Sequence, residues 1–291
     1  MFMLAFMCAS AEKQAHEKAS RCAILMVHFG TTFDDTRAVT IDALNVRVRE
    51  AFPDFTVAEA YTSRIIIDRL KKRGIEKHTP VEALLRLAAD GYDTVIVQGT
   101  NIIDGIETEV LRREADMMKP FFKDIRVGRP LLYSVEDGEK TVGILAFKYT
   151  AASEGKSHVV MVGHGTSTSA NAMYSQVDYM FGAGGYPNIH VATVEGYPTY
   201  ETTLAKLKVS GAREVALVPF MFVAGDHARN DIAGEWKENL EKAGFKVTAV
   251  IEGLGQNKDI QSLYIDHIRN AIDTKDRDAI ELKSAYVKEN I

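Results

Sequence analysis

The chain has 291 residues, of which 46% are hydrophobic and 26% charged, with a formal net charge of −5. This length favours two domains, and the composition is typical of a globular protein. The negative charge argues against broad nucleic-acid binding, which usually requires a basic patch. No stretch approaches the roughly 20 apolar residues of a membrane-spanning helix.

The N-terminal segment is interpreted as an export leader followed by a spacer, over residues 1–22. Its first eleven residues, MFMLAFMCASA, are apolar and end in an Ala-Ser-Ala sequence typical of a signal-peptidase site. The apolar run is short and lacks basic residues before it, so a cytoplasmic protein is the alternative to an exported, periplasmic one. The two cysteines, Cys8 and Cys22, form no CxxC pair, which argues against a structural zinc or iron–sulfur site.

Apolar runs and helical patterns alternate along the rest of the chain. The runs with the length of buried strands are 23–27, 56–60, 94–97 and 125–127, then 158–162, 189–194, 214–218 and 246–250. Helical spacing separates them, as in Ile41, Leu44 and Val48. The pattern predicts an α/β protein with two similar domains, each a four-stranded parallel sheet flanked by helices. The predicted domains span residues 23–150 and 151–272, and a charged tail spans 273–291.

The two halves repeat one another in sequence. AILMVHFGTT, which ends at residue 32, is echoed by HVVMVGHGTS, which ends at residue 167, and Gly30 and Gly165 lie 135 residues apart. The motifs AEAYTS and TVEGYP also match, with Glu59 and Glu195 separated by 136 residues. Later segments match at an offset of 120. We therefore predict a duplicated unit whose repeated residues lie at the carboxyl ends of the strands, where parallel sheets bind ligands.

Metal-binding side chains occur in the second copy only. The alignment pairs Phe29 with His164 and Glu107 with His227. Glu195 is matched by a glutamate in the first copy, Glu59. Two imidazoles and one carboxylate suit a divalent ion such as cobalt, iron, nickel or zinc, and leave coordination positions open for exchange. The sequence therefore predicts a metal site made by His164, Glu195 and His227 in the cleft between the halves. The alternative for each single histidine is a hydrogen-bonded loop residue.

Several motifs resemble those of one known family. The segments are MVGHGTS, TVEGYP and VPFMFVAGDHARNDIAGEWKENLEKAG in the second half, with HFGTT and AYTSRII in the first. From about residue 21 to 271 the chain is similar to the anaerobic cobalt chelatases, the sirohydrochlorin cobaltochelatases of cobalamin biosynthesis. The resemblance implies ATP-independent insertion of Co²⁺ or Fe²⁺ into sirohydrochlorin, a homo-oligomer and no organic cofactor. It also implies that His164, Glu195 and His227 bind the metal and carry the catalysis.

Sirohydrochlorin carries eight carboxylates, so its recognition requires local cations and hydrogen-bond donors. Arg64 and Arg229 are the basic residues nearest the predicted strand ends, and Thr31 and Thr166 add hydroxyl groups. We predict that these four residues contact the substrate, although arginines are often simply solvated and threonines often cap helices. Asp226 is predicted to orient the neighbouring His227 as a hydrogen-bond partner.

Three further residues have structural interpretations. His28 ends the first strand, where a packed or hydrogen-bonded histidine is a better prediction than a metal ligand. Asp231 is expected to cap the helix that follows GDH. Asn101 stands where family members often carry a histidine, so a haem or accessory metal at that position is not predicted.

Two other functions remain open from the sequence. One is a ferrous chelatase that serves sirohaem or haem formation. The other is an exported protein that binds a tetrapyrrole or a metal without catalysis. A dinucleotide-dependent enzyme is disfavoured, because no GxGxxG motif opens the first helix of either half.

Overall fold

The computed structural model describes residues 20–226, 228–274 and 279–290. The predicted leader, Cys8 and His227 therefore lie outside the described residues. Within the described chain, no helix has both the length and the apolar character needed to cross a membrane.

Strands and helices alternate through both halves, as the apolar runs predict. The first half contains β1 (Cys22–His28), α1 (Asp34–Arg37), α2 (Ala43–Ala51), β2 (Thr56–Tyr61), α3 (Arg64–Lys71), α4 (Pro80–Ala89), β3 (Thr94–Gly99), α5 (Ile106–Met118), β4 (Asp124–Val127) and α6 (Val135–Tyr149). The second contains β5 (Ser157–Gly163), α7 (Ala172–Ala183), β6 (Ile189–Thr193), α8 (Tyr200–Ser210), β7 (Glu214–Pro219), α9 (Lys237–Lys242), β8 (Lys246–Ala249), α10 (Lys258–Asp273) and α11 (Ala279–Asn290). Two segments are π-helical, Ala38–Asp42 and Ala228–Trp236.

The two sheets have the same topology. Their strand orders are β2-β1-β3-β4 and β6-β5-β7-β8, and all neighbouring strands are parallel. The central strands β1 and β5 are buried on both faces, which explains their uninterrupted apolar sequences. Burial of each such Val, Leu, Ile or Met side chain stabilises the fold by about 1.5–3 kcal/mol. The predicted fold class, a duplicated four-stranded α/β unit, is confirmed.

Helix termini carry the signals expected from the sequence. Thr79 and Glu82 form a capping box at the start of α4, and Pro80 occupies the first helical position. Ser134 and Asp137 form the same arrangement at the start of α6. These caps satisfy backbone N–H groups that would otherwise lack partners at the helix ends.

The halves are joined by helices that pack on the opposite half. The N-terminal-half helix α6 packs against α7, whereas α10 packs on β3 and β4 of the first sheet. In α10, the buried Tyr264 hydroxyl donates to the Thr100 carbonyl at 3.1 Å. Arg126 of β4 donates to the carbonyls of Ala271 and Ile272 at the end of the same helix. The segment predicted as the second domain thus contributes a helix to the first sheet, and the halves share one apolar core.

Candidate active site

His164 and Glu195 follow neighbouring parallel strands and lie on adjacent loops. β5 ends at Gly163 and β6 at Thr193, so both residues emerge from the same edge of the sheet. The backbone N–H of Glu195 donates to the carbonyl of His164 at 2.8 Å. Both side chains are exposed. The structure therefore brings two of the three predicted ligands to the same place.

A glycine allows these two loops to touch. Gly165 has φ of +90°, a conformation that other residues rarely adopt, and a Cβ there would lie 1.4 Å from the carbonyl oxygen of Glu195. Any larger residue would push the two loops apart. The glycine after His164 in the GHG motif is explained by this close approach.

The ring of His164 has a defined orientation. Its Nδ1 lies 3.4 Å from the carbonyl oxygen of Gly165. A carbonyl oxygen only accepts hydrogen bonds, so this contact requires the tautomer with a proton on Nδ1. In that tautomer Nε2 carries the lone pair that metal ligation uses.

A cavity of about 590 Å³ opens beside these two residues. Its lining contains His164, Thr193, Val194, Glu195, Gly196, Thr199, Tyr200, Glu201, Asp231, Glu235, Trp236 and Asn239. All of these residues belong to the second half, and four of them are acidic. The negative lining attracts divalent cations to the wall that carries His164.

His227, the third predicted ligand, lies outside the described residues. Among residues 20–226, 228–274 and 279–290, no group of three or more His, Cys, Asp and Glu side chains is arranged to hold a metal ion. The described part of the site contains His164 and Glu195, so the three-residue set stays a prediction.

The residues that flank position 227 contact the first half. Asp226 accepts a hydrogen bond from Arg69 of α3 at 3.0 Å. Arg229 lies over the ring of Phe33 at 4.2 Å from its centroid and 3.9 Å from the carboxylate of Asp35. Asp226 and Arg229 therefore face the first half across the cleft. Arg69 was not predicted from the sequence, because nothing in a single helix indicates a partner 157 residues away.

The predicted substrate contacts have different environments. Arg64 is exposed at the start of α3, and Arg229 is also exposed. Thr166 is partly buried, and its hydroxyl would lie 3.5 Å from a Cβ placed on Gly105, so it borders the first half. Thr31 is 2% exposed and its hydroxyl accepts from the backbone N–H of Phe33, so its contact with the substrate stays a prediction.

Asp231 also differs from its expected role. Asp231 lies inside the π-helical segment Ala228–Trp236 rather than at a helix start, and it lines the cavity. Glu201 and Glu235 also line the cavity and were not predicted, because neither belongs to a repeated motif.

Glu59, which the sequence repeat pairs with Glu195, lies inside β2 rather than after its end, and it is held by internal partners. Glu59 accepts hydrogen bonds from Asn45 at 2.7 Å and from Lys77, and all three side chains are at least partly buried. Asn45 also contacts Nε2 of His28 at 3.2 Å, while Thr100 contacts Nδ1 of that ring at 3.1 Å. His28 is therefore packed and hydrogen-bonded, as predicted.

Burial determines the charge of His28. Loss of water around the ring lowers the pKa of His28 to about 4, although Glu59 acts in the opposite direction. The ring is stacked on Phe222 of the second half, with 5.9 Å between the centroids. This histidine is therefore neutral at ordinary pH and belongs to the interface core.

Several known proteins are similar to this chain in sequence. The family model described as cobalt chelatase (CbiK) matches residues 22–273. A sirohydrochlorin cobaltochelatase from Salmonella typhimurium is 36% identical over 255 residues, which cover 86% of this chain and 96% of that protein. The sirohydrochlorin cobaltochelatase CbiKC from Nitratidesulfovibrio vulgaris is 29% identical over 273 residues, covering 92% of this chain and 96% of that protein.

Solved structures support the same fold at lower sequence identity. SirB from Bacillus subtilis, solved with Fe³⁺, superposes with a TM-score of 0.63 at 10% identity, over 86% of this chain and 95% of that one. The sirohydrochlorin chelatase SirB from Bacillus subtilis subspecies spizizenii, solved with cobalt, gives a TM-score of 0.61 at 11% identity, over 87% of this chain and 96% of that one. The match of the family model to nearly the whole described chain, together with the Salmonella relative, shows that this chain belongs to the cobalt chelatase (CbiK) family.

Proposed function

We propose that this protein is a sirohydrochlorin cobaltochelatase, which inserts Co²⁺ into sirohydrochlorin without ATP in anaerobic cobalamin biosynthesis. The observation that carries the proposal is the pairing of His164 and Glu195 on one cavity wall, in a chain of the cobalt chelatase family. His227, which follows the next strand of the same sheet in sequence, completes the proposed ligand set. The metal ion is a substrate here, and no organic cofactor is required.

Metal insertion requires three chemical events. The ion must lose water ligands, the macrocycle must lose two pyrrole N–H protons, and the ring must bend out of its plane. An imidazole and a carboxylate side by side replace part of the hydration shell and leave positions open for pyrrole nitrogens. The ligand set also offers proton acceptors, because an imidazole or a carboxylate can take up the pyrrole protons.

The macrocycle is proposed to lie against the face where the halves meet. Arg64, Arg229 and Thr166 are the predicted contacts that remain accessible or border the cleft. Guanidinium groups form strong hydrogen bonds to carboxylates, and sirohydrochlorin supplies eight of them. We add Arg69 to this set, because it and Arg229 already hold carboxylates of the protein across the same cleft.

Turnover tests the proposal. Purified protein, sirohydrochlorin and Co²⁺ are mixed without ATP, and the absorption spectrum is followed against a protein-free control, with Fe²⁺ in a parallel series. We expect the metallated spectrum to form much faster with the protein and faster with Co²⁺ than with Fe²⁺. Metal-ion and tetrapyrrole binding without acceleration would contradict catalysis and favour a binding protein. A preference for Fe²⁺ would favour the ferrous chelatase.

Light scattering of the same sample tests the proposed homo-oligomer.

A further inference from the structure

Asn171 connects the two loops that carry His164 and Glu195. Its side-chain Oδ1 accepts from the backbone N–H of Thr166 at 3.2 Å, and its Nδ2 donates to the carbonyl of Tyr197 at 2.7 Å. Thr166 lies two residues after His164, and Tyr197 lies two residues after Glu195. One amide group thus bridges equivalent points of both loops.

The surrounding backbone is shaped to admit this amide. Gly196 has φ of +112°, and a Cβ there would lie 2.4 Å from Oδ1 of Asn171. Asn171 itself ends the short 3₁₀ turn Ser169–Asn171 that leads into α7, so its backbone is fixed by the helix. The amide therefore extends from a rigid element into the space that a glycine leaves open.

The bridge acts together with the direct contact between the loops. The hydrogen bonds from Val194 to the carbonyl of Gly163 and from Glu195 to the carbonyl of His164 continue the strand pairing into the loops. The Asn171 amide joins the loops two residues later. Together these connections resist both separation and twisting of the loops. The amide therefore holds the loops together beyond the ends of their strands.

The first half lacks the chemical group needed for this bridge. The 135-residue offset places Thr36 at the position of Asn171. A threonine hydroxyl is shorter than an amide and does not offer a donor and an acceptor at opposite ends. The bridge thus accompanies the half that carries the histidines, as expected if its role concerns the metal site.

We propose that Asn171 is a positioning residue, which sets the distance between His164 and Glu195 for binding of the divalent metal substrate. The inference rests on the proposed function, because it assigns Asn171 a role at that site. Metal sites depend on the hydrogen bonds that orient their ligands, and loss of such a partner typically weakens metal affinity or activity by about 10- to 100-fold.

Cobalt binding by the full chain tests this role. The variants are Asn171→Ala and the near-isosteric Asn171→Leu. The leucine variant preserves the side-chain volume and replaces the alanine variant if that one folds poorly. Asn188→Ala is the matched control, because Asn188 also donates its amide to a backbone carbonyl, that of Ser153 at 2.6 Å. Asn188 lies at the amino end of β6, away from the metal-binding loops. Co²⁺ alone is titrated into each protein, with calorimetry and visible d–d absorption as readouts, and thermal unfolding is recorded in parallel.

We expect both Asn171 variants to bind Co²⁺ at least tenfold more weakly and to show altered d–d bands at saturation. The KM for sirohydrochlorin should change less than twofold. Asn188→Ala should have a comparable melting temperature to Asn171→Ala and wild-type cobalt affinity.

Two results would overturn the inference. In one, a folded Asn171 variant retains wild-type affinity and spectrum. In the other, Asn188→Ala loses cobalt affinity to the same extent as Asn171→Ala, which would indicate general destabilisation. A wild-type protein that neither binds Co²⁺ nor accelerates insertion would instead contradict the proposed function, and the role of Asn171 with it.

Discussion

Glu59 and Glu195, which the sequence repeat pairs, lie at different points of the two halves and have opposite environments. Glu59 is inside β2, whereas Glu195 follows β6 by two residues, a place that Ser63 takes in the first half. The carboxylate of Glu59 is held by Lys77 and Asn45 in a partly buried network. Glu195 is exposed beside His164 on the wall of the acidic cavity. The same residue type therefore stabilises the fold in one copy and is available for a ligand in the other.

Substitution of the two glutamates should give opposite results. Glu59→Gln leaves the partly buried ammonium of Lys77 without its anion, so the free energy of unfolding should fall by about 1–3 kcal/mol. Glu195→Gln should change it by less than about 0.5 kcal/mol, because the side chain is exposed. Cobalt affinity should fall only in Glu195→Gln. Urea unfolding and cobalt titration of both variants measure the two quantities, and a loss of affinity confined to Glu59→Gln would reverse the assignment.

His227→Ala should lose most insertion activity while the protein remains folded. The sequence predicts that His227 lies in a turn, where an imidazole should contribute little to a core. Insertion rate per folded molecule and melting temperature are measured together, with His78→Ala as the control for loss of a histidine elsewhere. A large fall in melting temperature with full specific activity would contradict a role in metal binding.

Acid should destabilise the protein through His28. The pKa of His28 is about 4 in the folded protein and near 6.5 when exposed, so its contribution is complete above about pH 6.5 and is lost as the pH falls toward 4. Between pH 7.5 and pH 5 the loss should be about 2 kcal/mol. His28→Gln keeps an amide that can bond to Thr100 and Asn45 but has no ring to protonate. Its stability should therefore fall by about 2 kcal/mol less between these two pH values than that of the wild-type protein.

Denaturant unfolding at both pH values checks this prediction. His190, whose pKa burial also lowers to about 4, contributes to the pH dependence of both proteins, so the variant should retain part of the slope. An unchanged loss of stability in His28→Gln would show that the buried ring does not titrate as described.

Arg229→Gln should weaken substrate binding more than stability. Arg229 is exposed and its carboxylate partner Asp35 lies 3.9 Å away, so the pair contributes about 1 kcal/mol or less. Loss of one guanidinium contact to a substrate carboxylate should raise the KM for sirohydrochlorin about tenfold, with a smaller effect at high salt. Arg213→Gln is the control, because Arg213 directly precedes β7 at the amino end of that strand. Equal KM values for the two variants would remove Arg229 from the substrate site.

The sequence predicts the sheets and part of the site for clear physical reasons. Continuous apolar runs have few alternatives to buried parallel strands, and the carboxyl ends of such strands bring His164 and Glu195 to one edge. The packing of α10 on the first sheet depends on tertiary contacts that no local pattern encodes. The Arg69–Asp226 pair and the burial of Thr31 have the same origin. Asp231 lies within a π-helical segment on the cavity wall rather than at a cap, because the hydrogen-bond register of a helix is not visible in residue spacing.

X-ray absorption of the Co²⁺-loaded protein tests the metal site most directly. If His164, Glu195 and His227 hold the ion together, the cobalt spectrum should contain scattering from two imidazole rings in addition to oxygen ligands. His164→Ala should remove one ring, and Glu59→Gln should leave the spectrum unchanged. A first shell made of oxygen atoms alone, identical in wild-type protein and His164→Ala, would contradict the account.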